Sequence, residues 1–514
     1  MRTRPWAALA GALAGGLGGI GGGLAAAGPG PPGTPGTPVG SPGIDVVPPG
    51  IKDWAASWFG TADKAGLPAC IASGVLGLSL AVGVLEHRRP FRGRLVVFVL
   101  GLLGALAVAA RPQSSTMSLV APGVAILVAL VVLAALTRLL RRWQDTVHID
   151  DGGAPPARRR FLQGAGGALV VAAASGTAAV AVRSSQGTVA RLRSAIVLPA
   201  PSEQPGRAGS VVPPGADLGV PGMGDLVTPA DSFYRIDTAL VVPVVDPVRW
   251  SLRVTGLVER ELELTFAELL EEPMIERHIT LACVSNTVGG NLTGNARWLG
   301  WPVRELLARA GVRAGADMVL SRSVDGFTAG TPLEALTDGR DALLAVGMNG
   351  APLPVEHGFP VRLVVPGLYG YVSATKWVSE LRVTRFADEK AYWSTRGWSE
   401  RGPVKTSSRI DVPRDRARVP AGEVTVGGVA WAQHRGVAAV EVRVDGGAWQ
   451  PADLARAISA DTWCQYSVGL RLDAGSHTVQ VRATDRTGDV QSDAEVAPAP
   501  DGAEGLHPVT FTGP

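Results

Sequence analysis

The chain has 514 residues, of which 46% are hydrophobic and only 18% are charged, and its formal net charge is +3. Because a typical soluble chain has about 25% charged residues, this composition excludes a disordered or fibrous protein and favours membrane spans. The small net charge argues against a nucleic-acid partner. The cysteines Cys70, Cys283 and Cys464 are too few and too far apart for a disulfide framework or a four-cysteine zinc site. The length predicts roughly three domains.

About five apolar runs precede residue 184 and predict an α-helical membrane region over residues 1–183. A helix needs about 20 mostly apolar residues to cross a bilayer. The first run could instead be a cleavable signal peptide, because it follows a short basic start and ends in Ala25, Ala26 and Ala27. The predicted spans are residues 6–27, 67–85, 95–110, 119–140 and 164–182.

Clusters of basic residues between the runs predict the topology. The positive-inside rule is satisfied if the clusters before the first run, between the second and third, and between the fourth and fifth are cytoplasmic. Everything after residue 182 then lies outside the cytoplasm, in a multi-pass protein of the cell membrane. The last cluster, Arg158-Arg159-Arg160 before Phe161-Leu162, resembles a twin-arginine export signal. The alternative is a stop-transfer cluster that only enforces orientation.

Two further regions follow the membrane half. Residues 184–225 are rich in Pro, Gly and Ser and predict a linker. Residues 226–406 alternate strand and helix patterns, which indicates a mixed α+β domain. Its predicted elements are strands at 250–254 and 361–365, a helix at 265–270 after the N-cap Thr265, and a helix at 302–310 before Gly311.

Residues 407–514 show strand patterns only. Residues 440–444 and 477–482 alternate between apolar and polar side chains, as half-buried strands do. Asp445-Gly446 follows the first of them and is typical of a hairpin turn. Short strands separated by regular turns predict an all-β sandwich.

A strand-like run from Arg277 to Ala282 delivers Cys283 into a polar, glycine-rich loop. Loops after strands present reactive groups on a rigid scaffold. Three interpretations are open: an inert buried thiol, a nucleophile, or a ligand of a soft, redox-active metal. The nucleophile would need a base, and His278 lies five residues back with no acidic residue fixed beside it. A metal centre with one protein cysteine must bring its other ligands with it.

A series of short motifs accompanies this cysteine across about residues 232–384. The motifs are Thr280-Leu281-Ala282-Cys283, Gly294-Asn295-Ala296-Arg297-Trp298, Met348-Asn349-Gly350, Leu353-Pro354, His357-Gly358-Phe359-Pro360-Val361-Arg362, Val365-Pro366-Gly367 and Ser373-Ala374-Thr375-Lys376-Trp377. In this order they are highly specific, and the region resembles the sulfite oxidase family of molybdenum-cofactor enzymes. The strand-rich tail, through residues 428–432 and 444–449, is similar to that family's immunoglobulin-like dimerisation domain.

The resemblance implies a molybdenum–molybdopterin cofactor whose metal is bound by the Cys283 thiolate, with a pterin dithiolene and oxo groups as the other ligands. Tyr234 and Arg235 match the segment that lines the pterin and substrate pocket, where they would orient the substrate. Arginine and lysine suit an anionic pterin phosphate because they are charge-assisted donors. The other positions that match cofactor contacts are Asp325, Thr328, His357, Arg362, Ser373, Thr375 and Lys376.

Several of these residues also have a plain structural interpretation. His357 could be a satisfied polar side chain, and Arg362 could be an ordinary ion-pair partner. Ser373 and Thr375 could cap a turn. Core packing, rather than a substrate pocket, is expected of the three tryptophans Trp298, Trp301 and Trp377.

Two departures from the family pattern bear on the reaction. Sulfite-oxidising members carry arginines just after the cysteine, whereas this chain has Thr287-Val288-Gly289-Gly290 there, so an oxyanion would meet fewer fixed cations. The chain also lacks a Cys-x-x-Cys-His motif, so we expect no haem in this chain and a separate electron-transfer partner.

The expected fold is an α-helical membrane region, then an α+β sulfite-oxidase-like molybdopterin domain, then an all-β immunoglobulin-like sandwich. The expected function is a membrane-anchored oxidoreductase that transfers an oxygen atom to or from a small sulfur compound outside the cytoplasm. The dimerisation-like tail favours sulfite oxidation and implies a homodimer, whereas the missing arginines favour the alternative, reduction of sulfoxides such as methionine sulfoxide. A third hypothesis is a cofactor-free binding module on the same fold.

Overall fold

The structure, a computed structural model, describes residues 63–109, 120–147, 192–202, 209–239, 242–419 and 422–513, together with residues 9, 159, 160, 162, 163 and 165. The chain forms two compact units. The first comprises Met1–Thr188 with Ala239–Val241, and the second comprises Val189–Thr238 with Val242–Pro514.

Three long helices make up most of the described part of the first unit, and they overlap the second, third and fourth predicted spans. Among the residues that the structure describes, no helix has both the length and the apolar character that a membrane crossing requires. The predicted multi-span region is therefore not supported. The predicted spans at 6–27 and 164–182 lie almost entirely outside the described residues. The helices are α1 Asp63–Arg88, α2 Arg92–Ala109 and α3 Val120–Val147.

The second unit begins its regular structure with alternating strands and short helices, as the sequence pattern predicts. In chain order the elements are β1 Ser251–Gly256, β2 Leu262–Thr265, α4 Phe266–Glu271, β3 Ile275–Ala282, β4 Thr293–Pro302, α5 Val303–Ala310, β5 Met318–Ser323, β6 Thr328–Pro332, α6 Glu334–Thr337, β7 Leu343–Met348, β8 Ala351–Pro352, β9 Arg362–Val364, α7 Gly370–Ser373 and β10 Val378–Thr384. Short 3-10 turns lie at Val355–His357 and Ser394–Arg396.

These strands form two sheets. The first has the order β2-β1-β10-β5-β6, in which only the β1–β10 pairing is parallel. The second has the order β3-β4-β7-β8, with β9 also paired to β7, and all its pairings are antiparallel. This second sheet positions the candidate site, because β3 ends at Ala282, directly before Cys283.

The predicted helix boundaries are confirmed by their caps. Thr265 precedes α4 in a capping box: its hydroxyl accepts from the Glu268 N–H at 3.3 Å, and the Glu268 carboxylate accepts from the Thr265 N–H at 2.8 Å. The helix α5 ends at Gly311, whose φ of +72° is the left-handed conformation that glycine adopts at helix ends.

One face of the second sheet builds a small core beside the site. Side chains alternate across a strand, so Ile279 and Leu281 of β3 point to the same face. They pack there with Trp298, Phe233 and Phe359. The three tryptophans expected in the core are buried, each at most 1% exposed, which confirms that expectation: Trp298, Trp301 and Trp377.

From Ser407 onward the regular elements of the described residues are all strands, so the prediction of a strand-rich C-terminal region is confirmed. Two four-stranded sheets, β11-β12-β16-β15 and β14-β13-β17-β18, share one core that includes Val426, Tyr466, Val442 and Phe511. The predicted turn follows β13, where Asp445 and Gly446 have φ values of +50° and +71°. The strands are β11 Ser407–Val412, β12 Glu423–Trp431, β13 Val437–Val444, β14 Gln450–Pro451, β15 Asp453–Leu454, β16 Cys464–Arg471, β17 Ser476–Asp485 and β18 His507–Thr512.

The described part of the predicted linker is packed rather than free. The Gly209 carbonyl accepts from the His278 N–H at 2.7 Å, and the Leu218 N–H donates to Gln465 Oε1 at 2.8 Å. Ala216 is fully buried. Proline and glycine make a segment irregular, but they leave its remaining N–H and C=O groups free to bond with neighbouring elements.

Candidate active site

Cys283 lies at the start of a closed loop that follows β3. Its N–H donates to the Leu292 carbonyl at 2.9 Å, and its carbonyl accepts from the Asn286 N–H at 3.1 Å. The Asn286 side chain completes the closure by accepting from the Leu292 N–H at 2.8 Å. Burial raises the pKa of the Cys283 thiol, while hydrogen bonds from Ser285 and the charge of Lys376 act in the opposite sense.

Tyr234 lies near the Cys283 thiol. Its ring stacks on Phe233 at a centroid distance of 5.2 Å. A Cβ added at Gly370 would lie 3.7 Å from the Ala282 carbonyl and 3.8 Å from the Tyr234 hydroxyl, so the phenol approaches the end of β3. Burial raises the pKa of Tyr234, and the charge of Cys283 raises it further. The tyrosine therefore remains a protonated hydrogen-bond donor near the thiol.

His357 has an unused hydrogen-bond acceptor, and its ring centroid lies 5.6 Å from that of Phe233. The imidazole is 2% exposed, and its Nε2 lies 2.9 Å from the Ala230 carbonyl. Because a carbonyl only accepts, Nε2 carries the proton, and Nδ1 is then an acceptor. Among the described residues this buried Nδ1 has no partner. Burial, with the charges of Arg362 and Lys376, lowers the pKa of His357 to about 4 and keeps the ring neutral.

Arg362 is a buried cation whose hydrogen-bond partners, within the described part of the chain, are all backbone carbonyls. Its guanidinium donates to the carbonyls of His357 at 3.1 Å, Leu363 at 3.3 Å and Ala374 at 3.4 Å, and it lies 5.0 Å from the Trp298 ring centroid. Burial lowers its pKa to about 10. A charge without a counter-ion in the interior is costly, so this position suits an anionic ligand.

Lys376 and Arg235 share one carboxylate, that of Asp237. Lys376 Nζ lies 3.0 Å from Asp237 Oδ2 and 3.1 Å from the Glu356 carbonyl. Arg235 Nε lies 2.9 Å from the same Oδ2, and the Asp237 side chain is only 6% exposed. Burial lowers the pKa of Lys376 to about 8, although Asp237 opposes this shift. Sequence reasoning missed Asp237, and its only signal was an acid two residues after Arg235, on the same side of an extended chain.

Gly358 allows Arg362 and Lys376 to approach each other closely. Its φ is +110°, and an added Cβ would lie 3.0 Å from Arg362 Cβ and 3.2 Å from Lys376 Cα. A larger side chain would therefore be strained and would separate Arg362 from Lys376.

Four of the predicted positions use their side chains in hydrogen bonds to other residues of the protein. The Ser373 hydroxyl donates to the carbonyls of residues 368 and 369, and the Thr375 hydroxyl bonds to Ser321 at 2.7 Å. The Ser373 bonds fix the turn around α7, as its plain structural interpretation predicts, whereas the Thr375 hydroxyl bonds to strand β5 and caps no turn. Asp325 accepts from the N–H of residue 327, and Thr328 accepts from that of residue 392. Their hairpin reaches the cluster through its main chain, where residue 324 donates to the residue 377 carbonyl at 3.0 Å.

The site therefore contains one thiol, one neutral imidazole with a free acceptor nitrogen, three cations and one carboxylate. Within the described ranges no group of three or more His, Cys, Asp or Glu side chains could hold a metal ion. A metal at Cys283 would have to arrive with its own ligands. The positive excess at Arg235, Arg362 and Lys376 suits an anionic group that carries such a metal, because charge-assisted hydrogen bonds are the strong ones.

Comparison with known proteins identifies relatives for about half of the chain. A family model described as "Oxidoreductase molybdopterin binding domain" matches residues 239–393. The sulfite oxidase of Gallus gallus is 32% identical over 320 residues, which cover 53% of this chain and 69% of that protein. An uncharacterized oxidoreductase of Bacillus subtilis, YuiH, is 32% identical over 179 residues, which cover 35% of this chain and 87% of that protein.

Two further matches cover similar shares of this chain. The mitochondrial sulfite oxidase of Homo sapiens is 31% identical over 321 residues, or 53% of this chain and 58% of that protein. Among solved structures, the sulfane dehydrogenase SoxCD from Paracoccus pantotrophus aligns with a TM-score of 0.49 and 25% identity, over 55% of this chain and 80% of that chain.

Lys376 should give the protein a pH-dependent stability. Its pKa in the folded state, about 8, lies below the ordinary 10.5, so between these values the unfolded chain binds more protons than the folded chain. The free energy of unfolding of the cofactor-free protein should therefore rise between about pH 8 and about pH 10. Denaturant titrations across this range should show a smaller rise for Lys376→Met than for the unsubstituted protein.

Lys390→Met provides the matched control, because Lys390 is 61% exposed. This variant should keep the rise. An unaltered pH dependence in Lys376→Met would contradict the assignment. Asp237→Asn should move the rise to lower pH, because it removes the carboxylate that favours the charged lysine.

Proposed function

Because the chain belongs to the sulfite oxidase family of molybdopterin-binding oxidoreductases, we propose that it transfers an oxygen atom between water and a small sulfur compound, with a molybdenum–pterin cofactor held at Cys283. The observation that carries this proposal is the buried, carboxylate-poor cluster of Arg362, Lys376 and His357 beside that thiol. An inert core thiol would not require two buried cations and an unused imidazole acceptor nearby.

The residues present fit the cofactor, and each has a defined contact to offer. The Cys283 sulfur would bind the metal, since a thiolate is a ligand for soft, redox-active centres. Arg362 and Lys376 would bind the anionic phosphate, and His357 Nδ1 would accept from an N–H donor of the pterin. When bound, the cofactor supplies the two-electron redox chemistry and the site of oxygen transfer.

The chain itself binds and orients the substrate. Tyr234 keeps its proton because burial and the charge of Cys283 raise its pKa, so it donates to a substrate oxygen beside the thiol. Arg235 is fixed by Asp237, yet its side chain remains 30% exposed, so its positive charge remains accessible from solvent. The aromatic contacts of Phe233 with Trp298 and His357 exclude water from the base of the site.

The loop after the cysteine bears on which sulfur compound reacts. Thr287-Val288-Gly289-Gly290 contributes no cation. The arginine that reaches this loop, Arg409, is paired with Asp411 at 2.7 Å and therefore has little positive charge to offer an oxyanion. This observation favours a second candidate function, reduction of a neutral sulfoxide on the same cofactor. The sulfite oxidases among the relatives favour the first.

The proposal also includes the membrane location, the electron-transfer partner and the oligomeric state, which are inferred from the sequence. The apolar runs and their basic flanks support membrane anchoring with an extracytoplasmic active site. The missing haem motif supports a separate electron-transfer partner. The similarity of the tail to an immunoglobulin-like dimerisation domain supports a homodimer.

Cys283→Ser should abolish molybdenum-dependent turnover and leave the protein folded, because a serine hydroxyl is a poor ligand for a soft metal centre. The measurements are molybdenum and pterin content per chain, turnover, and circular dichroism. Cys464→Ala is the matched control, since Cys464 is buried in the C-terminal core and should not affect turnover. Full activity in Cys283→Ser would overturn the metal assignment.

The direction of the reaction can be determined from the oxidation state of the bound molybdenum after each substrate is added. If the protein oxidises sulfite, anaerobic sulfite should reduce the oxidised centre, and electron paramagnetic resonance should detect Mo(V) on partial reduction. If it reduces sulfoxides, methionine sulfoxide should reoxidise the chemically reduced centre. A folded protein purified without molybdenum or pterin would leave the cofactor-free binding module as the surviving interpretation.

The export signal can be tested by charge-conserving substitution. Arg158→Lys with Arg159→Lys should leave the oxidoreductase domain in the cytoplasm, because a folded-protein export route reads the arginine pair itself rather than its charge. Protease accessibility in spheroplasts measures the outcome. Arg141→Lys with Arg142→Lys is the control pair and should not affect export. Normal accessibility of the first variant would refute the signal.

A further inference from the structure

The closed loop of residues 283–292, here called the cysteine loop, is held from two sides. Its base is tied by the bonds among Cys283, Asn286 and Leu292 described above. Its tip contains Gly289 and Gly290, and Gly289 has a φ of +72°. Two adjacent glycines have unusual conformational freedom, so the tip needs external contacts to stay in one conformation.

The C-terminal domain supplies a hydrogen bond to this tip. Arg409 of β11 donates from Nη1 to the Gly290 carbonyl at 3.0 Å. The same guanidinium is fixed by Asp411, with Nε 2.7 Å from Oδ1 and Nη2 3.5 Å from Oδ2. Both side chains are largely buried, at 13% and 12% exposure. Arg409 is thus oriented toward the loop by its own domain.

Two packing contacts accompany this bond. A Cβ added at Gly289 would collide with the His507 imidazole, so the loop backbone lies directly against that ring. His507 is itself held in place, because its Nδ1 accepts from the Ile410 N–H at 3.0 Å. A Cβ added at Gly505 would lie 3.3 Å from Val288 Cγ2. Strands β11 and β18 and the segment before β18 therefore all touch the tip.

We propose that Arg409 is a positioning residue for Cys283, through which the C-terminal domain clamps the cysteine loop. The bond path is short: Arg409 holds the Gly290 carbonyl, the Gly290 N–H donates to the Thr287 carbonyl at 2.9 Å, and Asn286 then connects the loop to the Cys283 backbone. The clamp deepens the proposed function, because a metal ligand must be held in one orientation. The contacts themselves exist without a metal.

The test measures the exposure of Cys283 in the cofactor-free protein. Arg409→Leu removes the bond to Gly290 and should make iodoacetamide label Cys283 about tenfold faster, since a hydrogen bond from a charged group restrains local opening by roughly this factor. Peptide mass spectrometry distinguishes the labelling of Cys283 from that of Cys464. Cys464, 2% exposed in the C-terminal core, should keep its slow rate and so reports on the integrity of that domain.

The control variant is Arg443→Leu. Arg443 lies on β13 of the same domain, where it stacks on Trp449 and bonds to Gln480, and its loss should leave both thiols unaffected. An unchanged Cys283 rate in Arg409→Leu, with Cys464 still protected, would overturn the clamp.

If Arg409→Leu exposes Cys464 as well, the domain has unfolded and Asp411→Asn becomes the deciding variant. It keeps the arginine and removes only the carboxylate that orients it, so it should accelerate Cys283 alone. An unchanged Cys283 rate there would also refute the proposal. Because the labelling uses protein without molybdenum, its outcome is separate from that of the metal-content and turnover experiments.

Discussion

The carboxylate of Asp237 is the interaction on which the candidate site depends. It contacts both Lys376 and Arg235 in an environment where its own side chain is 6% exposed. Without it, two cations would be held near Arg362 with no counter-charge, and desolvation would penalise all three. One carboxylate offsets part of this cost and still leaves the cluster positive, which is the electrostatic condition for binding an anionic cofactor.

Burial determines the charge state and the hydrogen-bonding capacity of Arg362 and His357. Among the residues that the structure describes, Arg362 donates only to backbone carbonyls. His357 stays neutral because burial and neighbouring positive charge lower its pKa. A neutral imidazole with an unused Nδ1 differs from an ordinary surface histidine in what it can bind, since it accepts a hydrogen bond where its neighbours only donate. The site therefore combines anion binding with one acceptor, beside a thiol.

The site is shared between two domains of the second unit. The oxidoreductase domain presents Cys283 at the end of β3, whereas the C-terminal domain contacts the tip of its loop through Arg409 and His507. This arrangement gives the strand-rich domain a role at the site besides any role in dimerisation. Under the proposed function, it also explains how a loop with two adjacent glycines would hold a metal ligand in a single orientation.

The sequence by itself determined the local features and the family. The cap at Thr265, the helix end at Gly311 and the hairpin turn at Asp445 depend on neighbouring residues, and the ordered motifs around Cys283 identify relatives without any coordinates. Only the tertiary structure decided how the site is assembled, because Lys376 and Asp237 are 139 residues apart in the chain. Their contact depends on how the sheets and turns pack, and no local pattern encodes that. Burial also decides charge state, and burial is a property of the folded chain.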